Sequence, residues 1–218
     1  MNGNKRGQRS REEILDVAAR IMAERGYAAT SLSVLSAETG LPKSAVYHHF
    51  HSKGGLLSAV MERGLNDFFA AMRAVHANPP EGGTHLERLT WFLLRTGEVL
   101  SARYLFMRLH MILVLSAEAA EAEIADTIET VRRDGRAHMN LMIRESFSDE
   151  GPELAQQVAD ELDYFGIAGF DGAFLALQAD AGRTLPAQNQ LLAQAIVLLG
   201  EQIVARERAK DRADADRR

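Results

Sequence analysis

Apolar residues recur at helical spacing along almost the whole chain. The clearest stripe lies within residues 10–25 and consists of Ile14, Val17, Ala18, Ile21 and Met22. The same spacing predicts eight further helices, at residues 31–39, 42–49, 53–77, 84–100, 102–117, 120–147, 152–179 and 186–210. Runs in which β-branched and aromatic residues alternate with polar ones are absent, so the sequence predicts an all-α fold of about nine helices.

The two short helices at residues 31–39 and 42–49 are joined by a tight turn that contains Gly40. This is the pattern of a helix-turn-helix unit, in which the second helix enters the major groove of DNA. The small core between the two helices is predicted to consist of Leu32, Leu35, Leu41 and Val46. The pattern therefore predicts an N-terminal three-helix DNA-binding domain.

The polar residues on the other face of the second helix have the chemistry needed for DNA. Lysine and serine can bond base edges or phosphates, and tyrosine and histidine can reach phosphate oxygens. A hydroxyl residue that caps the preceding helix would place its N-terminal N–H groups beside a phosphate. The predicted DNA-contacting residues are Thr30, Ser31, Lys43, Ser44, Ala45, Tyr47, His48 and Lys53.

The charge distribution changes the meaning of the net charge. The 218 residues carry a formal net charge of −5, which taken alone argues against a nucleic-acid partner. Residues 1–55, however, hold 8 Lys+Arg and 5 Asp+Glu, whereas the remainder holds 17 and 25. A basic N-terminal fifth on an acidic body favours a polyanion at that end, although +3 is also within ordinary scatter.

Several classes of function lack their signature. The chain has no cysteine, which excludes disulfides, thiolate zinc sites and cysteine nucleophiles and fits a reducing, cytoplasmic location. It has no HExxH, GxxxxGK or GxGxxG motif, so we expect no enzyme, no catalytic residues, no metal and no cofactor. The longest aliphatic stretches are far below the ~20 residues of a membrane span, so no membrane partner is expected.

The run from Gly40 to Phe50, with Gly26-Tyr27, Thr30-Ser31, Ser52-Lys53 and Leu56-Leu57 around it, resembles the DNA-binding domain of the TetR family of transcriptional regulators. Its most specific part is Tyr47, Phe50 and Lys53. The resemblance covers residues 10–60. It implies a homodimer that binds a palindromic operator, usually as a repressor, and is released by a small-molecule effector. Ser44 and Gly54 depart from the residues common in that family.

The resemblance also implies a division of labour along the chain. Residues 1–55 would bind DNA, residues 56–210 would bind the effector and dimerise, and residues 211–218 would form a charged tail. The helix at residues 53–77 would couple the two parts. Residues 206–218 alternate in charge without an apolar face, so we expect this tail to be frayed.

The middle helices are rich in methionine and aromatic residues, which suit either plain core or a pocket for an apolar or aromatic effector. The predicted effector-binding residues are Trp91, Tyr104, Met107, His110, Met111, Met139, Met142, Phe170 and Phe174. The last two helices are predicted to pair with those of a second copy in a four-helix bundle, with core packing as the alternative. The predicted dimer-interface residues are Gly166, Gly169, Gly172, Leu192, Ile196 and Leu199.

Two other functions remain open at the level of the sequence. The chain could be a helical ligand-binding or enzymatic protein whose N-terminal motif is a structural hairpin. It could also bind DNA as an activator, or respond to a protein or to no ligand at all. Exposed Lys43, Tyr47 and His48 have no evident use in a structural hairpin, and they favour DNA binding.

Overall fold

The computed structural model describes residues 2–116, 122–180 and 182–217. Within these ranges the regular structure is entirely helical, which confirms the predicted all-α class. The helices are α1 (Asn2–Arg25), α2 (Leu32–Thr39), α3 (Lys43–Phe50), α4 (Lys53–Val75), α5 (His85–Ala102), α6 (Tyr104–Val114), α7 (Ala122–Ser146), α8 (Pro152–Leu177) and α9 (Leu185–Ala215). A 3-10 turn, Ser148–Glu150, precedes α8.

The chain divides into two compact units, each with its own packing. Unit 1 comprises Met1–Ala71 and Leu100–Arg132, and unit 2 comprises Met72–Val99 and Arg133–Arg218. The core of unit 1 is a cluster of buried side chains from α1, α4 and α6, joined by a few from α2, α3 and α7. Its fully buried side chains include Ile14, Leu15, Ile21, Met22, Leu56, Leu57, Leu109 and Leu113. The predicted boundary at residue 55 concerns function and stays a prediction.

Local chemistry sets the ends of α2. Ser31 caps its N-terminus, and the Ser31 hydroxyl accepts a hydrogen bond from the Val34 N–H at 3.2 Å. Gly40 ends the helix with φ of 68°, a left-handed conformation that glycine adopts without a steric penalty. The Ser36 hydroxyl then donates to the Leu41 carbonyl at 2.7 Å. These contacts fix the turn that orients α3.

The turn between α3 and α4 is tighter. His51 has φ of 60° and ψ of −37°, and the Ser52 N–H donates to the Phe50 carbonyl at 2.6 Å. Positive φ is unfavourable for a residue that carries a Cβ atom, so this turn stores strain at the end of α3. The buried Phe50 and Leu56 side chains on either side hold it in place.

Helix α1 begins earlier than the sequence predicts. The apolar stripe starts after residue 10, whereas the helix starts at Asn2. Residues 2–9 contain no proline and no large apolar side chain, so they can extend the helix without an apolar face, despite two glycines. Hydrophobic periodicity does not detect such a segment.

In unit 2, α8 and α9 form the main packed pair. The prediction of a frayed tail from residue 206 is wrong, because α9 continues to Ala215. The charged side chains at the end of α9 form ion pairs, and the helix has no apolar face there. Arg206 pairs with Glu161 at 2.7 Å, Lys210 pairs with Glu207 at 2.8 Å, and Arg208 pairs with Glu150. None of the helices in the described ranges is long and apolar enough to cross a membrane.

Candidate nucleic-acid interface and ligand site

The two faces of α3 differ sharply in burial. Val46 and Phe50 point into the core of unit 1 and are buried. Lys43, Ser44 and His48 are exposed on the opposite face, and Tyr47 is 61% exposed although its ring is largely apolar. The helix thus presents a phenol, an ammonium, a hydroxyl and an imidazole to solvent. Ala45, the small residue of the predicted set, lies between the faces and is partly buried.

The start of α3 is suited to an anion. Pro42 precedes the helix and no side chain caps its first N–H groups. The first turn holds Lys43 and no acidic residue. Unpaired N–H groups and the helix dipole favour negative charge at such an end. The N-terminal turn of α3 could therefore receive a phosphate beside Lys43.

The two hydroxyl residues before α2 differ in position. Ser31 is exposed at the N-terminus of α2. Thr30 is fully buried, and its hydroxyl donates to the Gly26 carbonyl at 3.2 Å. Without DNA, Ser31 is therefore at the surface, whereas Thr30 is inside and supports the turn between α1 and α2.

Lys53, at the first position of α4, already has intramolecular contacts. Its ammonium donates to the Ala28 carbonyl at 3.1 Å and lies 4.2 Å from the centroid of the buried Tyr27 ring. These contacts tie the start of α4 to the segment between α1 and α2. The predicted phosphate contact would add to this structural role.

Two further groups near α3 were not predicted from the sequence. The Arg11 guanidinium lies 5.4 Å from the centroid of the Phe50 ring, at the end of α3. Burial, then His48 and Arg11, lower the pKa of His49 below its ordinary value. The basic run at residues 5–11 was the available signal for Arg11, whereas nothing in the sequence indicated its contact with Phe50.

Four of the predicted effector-binding residues lie in unit 1, on α6. The Arg108 guanidinium donates to the Tyr104 hydroxyl at 2.7 Å. Met107, His110 and Met111 are buried. His110 is 1% exposed, and neither ring nitrogen has a hydrogen-bond partner among the described residues. Burial, and to a smaller extent the Arg132 charge, lower the pKa of His110 to about 4.

The other five, Trp91, Met139, Met142, Phe170 and Phe174, lie in unit 2. Two of them adjoin a histidine pair that the sequence did not indicate. His76 Nδ1 lies 3.1 Å from His138 Nε2, and His76 Nε2 lies 3.2 Å from the Phe92 carbonyl. The Trp91 ring centroid is 5.8 Å from that of His76, and Met142 accepts a hydrogen bond from the Thr96 hydroxyl at 3.5 Å.

The hydrogen bonds of the His76–His138 pair indicate which ring nitrogens carry a proton. A carbonyl only accepts, so His76 carries its proton on Nε2, and its Nδ1 accepts from the Nε2–H of His138. Burial, then the His76 and Arg73 charges, lower the pKa of His138 to about 4. Burial likewise lowers the pKa of His76. Both rings are therefore neutral at neutral pH, in a chain of two hydrogen bonds.

The predicted dimer-interface residues divide into inner and outer sets. A Cβ added at Gly166 would lie 2.8 Å from Met139, and one added at Gly169 would lie 2.6 Å from Leu192. The lack of a Cβ at these two positions therefore leaves room for side chains of the same unit. Leu192 and Ile196 are buried. Gly172 has open space around it, and Leu199 is exposed. Other exposed apolar side chains accompany these two: Phe165, Leu175, Leu191 and Leu198.

Groups of three or more acidic or histidine side chains able to hold a metal are absent from the residues that the structure describes. His48 and His49 are neighbours, with ring centroids 5.5 Å apart, but no carboxylate joins them in such a group.

Comparison with known proteins agrees with this geometry. Residues 14–60 match the family model described as "Bacterial regulatory proteins, tetR family". Over 79 residues the chain is 34% identical to the "HTH-type transcriptional repressor KstR2" of Rhodococcus jostii (strain RHA1), a match that spans 36% of this chain and 39% of that protein. The chain thus aligns with about two fifths of the length of this curated relative.

Solved structures extend the likeness of fold to most of the chain. A transcriptional regulator of the TetR family from Agrobacterium tumefaciens superposes with a TM-score of 0.66 at 16% identity, covering 90% of this chain and 98% of that one. A transcriptional regulator from Rhodococcus sp. Rha1 gives 0.65 at 17% identity, covering 86% and 96%. The resemblance to the TetR family is therefore confirmed, and it is carried by residues 14–60, which match the model of that family.

Proposed function

We propose that the protein is a transcriptional regulator that binds double-stranded operator DNA through α3. The observation that carries this proposal is the exposed polar face of α3, where Lys43, Ser44, Tyr47 and His48 surround a helix whose other face is buried. No core packing requires these residue types there. Repression, rather than activation, is supported by the name of the relative from Rhodococcus jostii.

The proposed assembly is a homodimer formed by α8 and α9 of two copies. The exposed positions Phe165, Ala168, Gly172 and Leu175 on α8 are spaced by three and four residues, as are Leu191, the half-buried Ala195 and Leu198 on α9. This is the spacing of helices that pack in a left-handed bundle. A two-fold dimer would present two copies of α3 to a palindromic operator. This proposed interface differs from the sequence prediction. It keeps Gly172 and Leu199, adds the exposed residues beside them, and omits the inward-facing residues Gly166, Gly169, Leu192 and Ile196.

The proposed signal is a small apolar or aromatic effector that binds residues 56–210 and releases the DNA. Buried methionines and the buried His110 supply soft and polar contacts for such a molecule. The helix α4 corresponds to the coupling helix of the sequence prediction. Release requires that the effector bind the DNA-free state more tightly than the DNA-bound state. No cofactor or catalytic role is included, and the proposed location is the cytoplasm.

The proposal is tested by titrating the purified protein against labelled duplexes from the region upstream of its own gene. Fluorescence anisotropy is recorded at several salt concentrations. Each neutralised phosphate contributes about −0.9 to the slope of log affinity against log salt. We expect a steep slope, corresponding to several phosphate contacts per dimer. A salt-independent signal, or no binding to any fragment, would overturn the proposal.

A further inference from the structure

His110 is a buried polar side chain without a hydrogen-bond partner among the residues that the structure describes. The side chain is 1% exposed, and both Nδ1 and Nε2 lack a hydrogen-bond partner in the part of the chain that the structure describes. Most buried polar groups in folded proteins have a partner, and each one left without costs stability. A neutral imidazole has one donor and one acceptor, so His110 leaves two such groups unpaired.

The surroundings of His110 disfavour charge. Met107 and Leu113 lie three residues before and after it on α6, on the same side of the helix, and both are buried. Burial is the main reason that the pKa of His110 falls to about 4, and the Arg132 guanidinium adds to it. The same desolvation penalises a charged group brought beside the ring, and the Arg132 guanidinium adds to the penalty for a cation. An uncharged group that can donate or accept meets neither penalty.

We propose that His110 is the hydrogen-bonding anchor of the effector and that the effector is an uncharged, apolar molecule that carries a hydroxyl group. A hydroxyl both donates and accepts, so it satisfies whichever ring nitrogen faces it. The buried thioether of Met107 provides the adaptable apolar contact for the rest of the molecule. This inference rests on the proposed effector-responsive function and specifies its ligand class.

His138 provides a matched control within the same chain. Burial lowers the pKa of both imidazoles to about 4, so both are neutral and desolvated. His138, however, donates to His76 and belongs to a hydrogen-bonded chain. Replacing each by leucine removes the same polar ring, which is unpaired in one case and paired in the other.

The first experiment compares the thermal unfolding of wild type, His110→Leu and His138→Leu without added compounds. We expect His110→Leu to raise Tm by about 3 °C, because it removes a buried group that the fold does not satisfy. His138→Leu should lower Tm, because it leaves His76 Nδ1 without its donor. If His110→Leu lowers Tm as much as His138→Leu does, the fold itself satisfies His110 and the proposal is overturned.

The second experiment identifies the ligand chemistry. Phenol, benzyl alcohol and cyclohexanol are each compared with the counterpart that lacks the hydroxyl, namely benzene, toluene and cyclohexane, and benzoate serves as the charged probe. Long-range ¹H–¹⁵N spectra of the His110 ring and Tm are recorded for each. We expect at least one hydroxyl compound to shift the ring signals and raise Tm more than its counterpart does, and benzoate to do neither.

The preference for the hydroxyl should disappear in His110→Leu and persist in His138→Leu. Equal responses to both members of every pair, or none to any compound, would overturn the assignment and leave water as the partner of His110. These measurements use no DNA, so they can fail while operator binding succeeds. Conversely, a wild-type protein that ignores DNA would overturn the proposed function without affecting the ring spectra.

Discussion

Helix α3 and the α8–α9 pair each bury one face and expose the other. The two exposed faces differ in chemistry. On α3 the outward residues are polar or amphipathic, with Lys43 and Tyr47 as the largest. On α8 and α9 they are apolar, with Phe165 44% and Leu198 60% exposed. Burying an exposed apolar side chain is favourable when it packs against another apolar surface. Polar side chains can instead exchange their hydrogen bonds to water for bonds to phosphates or base edges. Amphipathic helices thus leave two kinds of outer surface, and the outward residues determine which kind of partner each surface suits.

The largest expected effect comes from a charge placed on the apolar face. We expect Leu198→Glu to convert a dimer into a monomer, because two glutamates would be buried beside one another across a two-fold axis. Operator affinity should then fall by about 100-fold or more, since the second α3 no longer binds at high effective concentration. Sedimentation velocity measures the first effect and anisotropy the second.

Leu115→Glu is the matched control for this change. Leu115 is 75% exposed, more than Leu198, but lies just after α6 in unit 1. It should leave both the mass and the operator affinity unchanged. A Leu198→Glu protein that remains a dimer would show that the α8–α9 face is not the interface.

A smaller effect is expected from the polar face. Lys43→Ala should weaken operator binding about tenfold and flatten the salt slope by about 0.9 for each phosphate that is no longer neutralised, with no change in mass. Lys210→Ala is the control, because it removes an exposed lysine from α9 that is paired with Glu207. Equal reductions for the two variants would mean that net charge, and not the face of α3, determines the affinity.

The smallest effect distinguishes the inner and outer sides of α8. In the monomeric Leu198→Glu background, Gly172→Ala should raise the free energy of unfolding by about 0.5–1 kcal/mol, because alanine restricts the unfolded chain and meets nothing within 4 Å. In the wild-type background the gain should vanish if a second copy approaches Gly172. Gly169→Ala should gain less than Gly172→Ala does in the monomer, in both backgrounds, since its Cβ would lie 2.6 Å from a Leu192 methyl group that must shift. Urea unfolding at fixed protein concentration measures each value, and an equal gain from Gly172→Ala in both backgrounds would place Gly172 outside the interface.

Much of the fold was predictable from the spacing of apolar residues, and the failures share one cause. The nine helices and their order are as predicted within the described residues. The start of α1 at Asn2 and the end of α9 at Ala215 were missed, because both segments are polar. The ion pair of Arg206 with Glu161 involves residues 45 apart in the chain, and no local pattern reveals it.

The candidate sites were predictable to different degrees. The outer face of α3 followed from helical periodicity, since its core residues Val46 and Phe50 identify the opposite side. On α8 periodicity found small and apolar residues but could not separate the stripe that packs inside the unit from the one left outside. Gly166 and Gly169 were assigned outward for this reason. The His76–His138 contact depends on tertiary packing between residues 62 apart.

Trp91 gives one consequence of the histidine pair. It is the only tryptophan in the sequence, and its ring centroid lies 5.8 Å from that of His76 and 5.1 Å from that of Phe92. An imidazolium quenches indole emission far more than a neutral imidazole does. Because burial lowers the pKa of His76, the emission should stay constant through neutral pH and fall only in acid. The emission of Trp91 is thus a label-free probe of the contact between His76 and helix α5, and it suits time-resolved measurements.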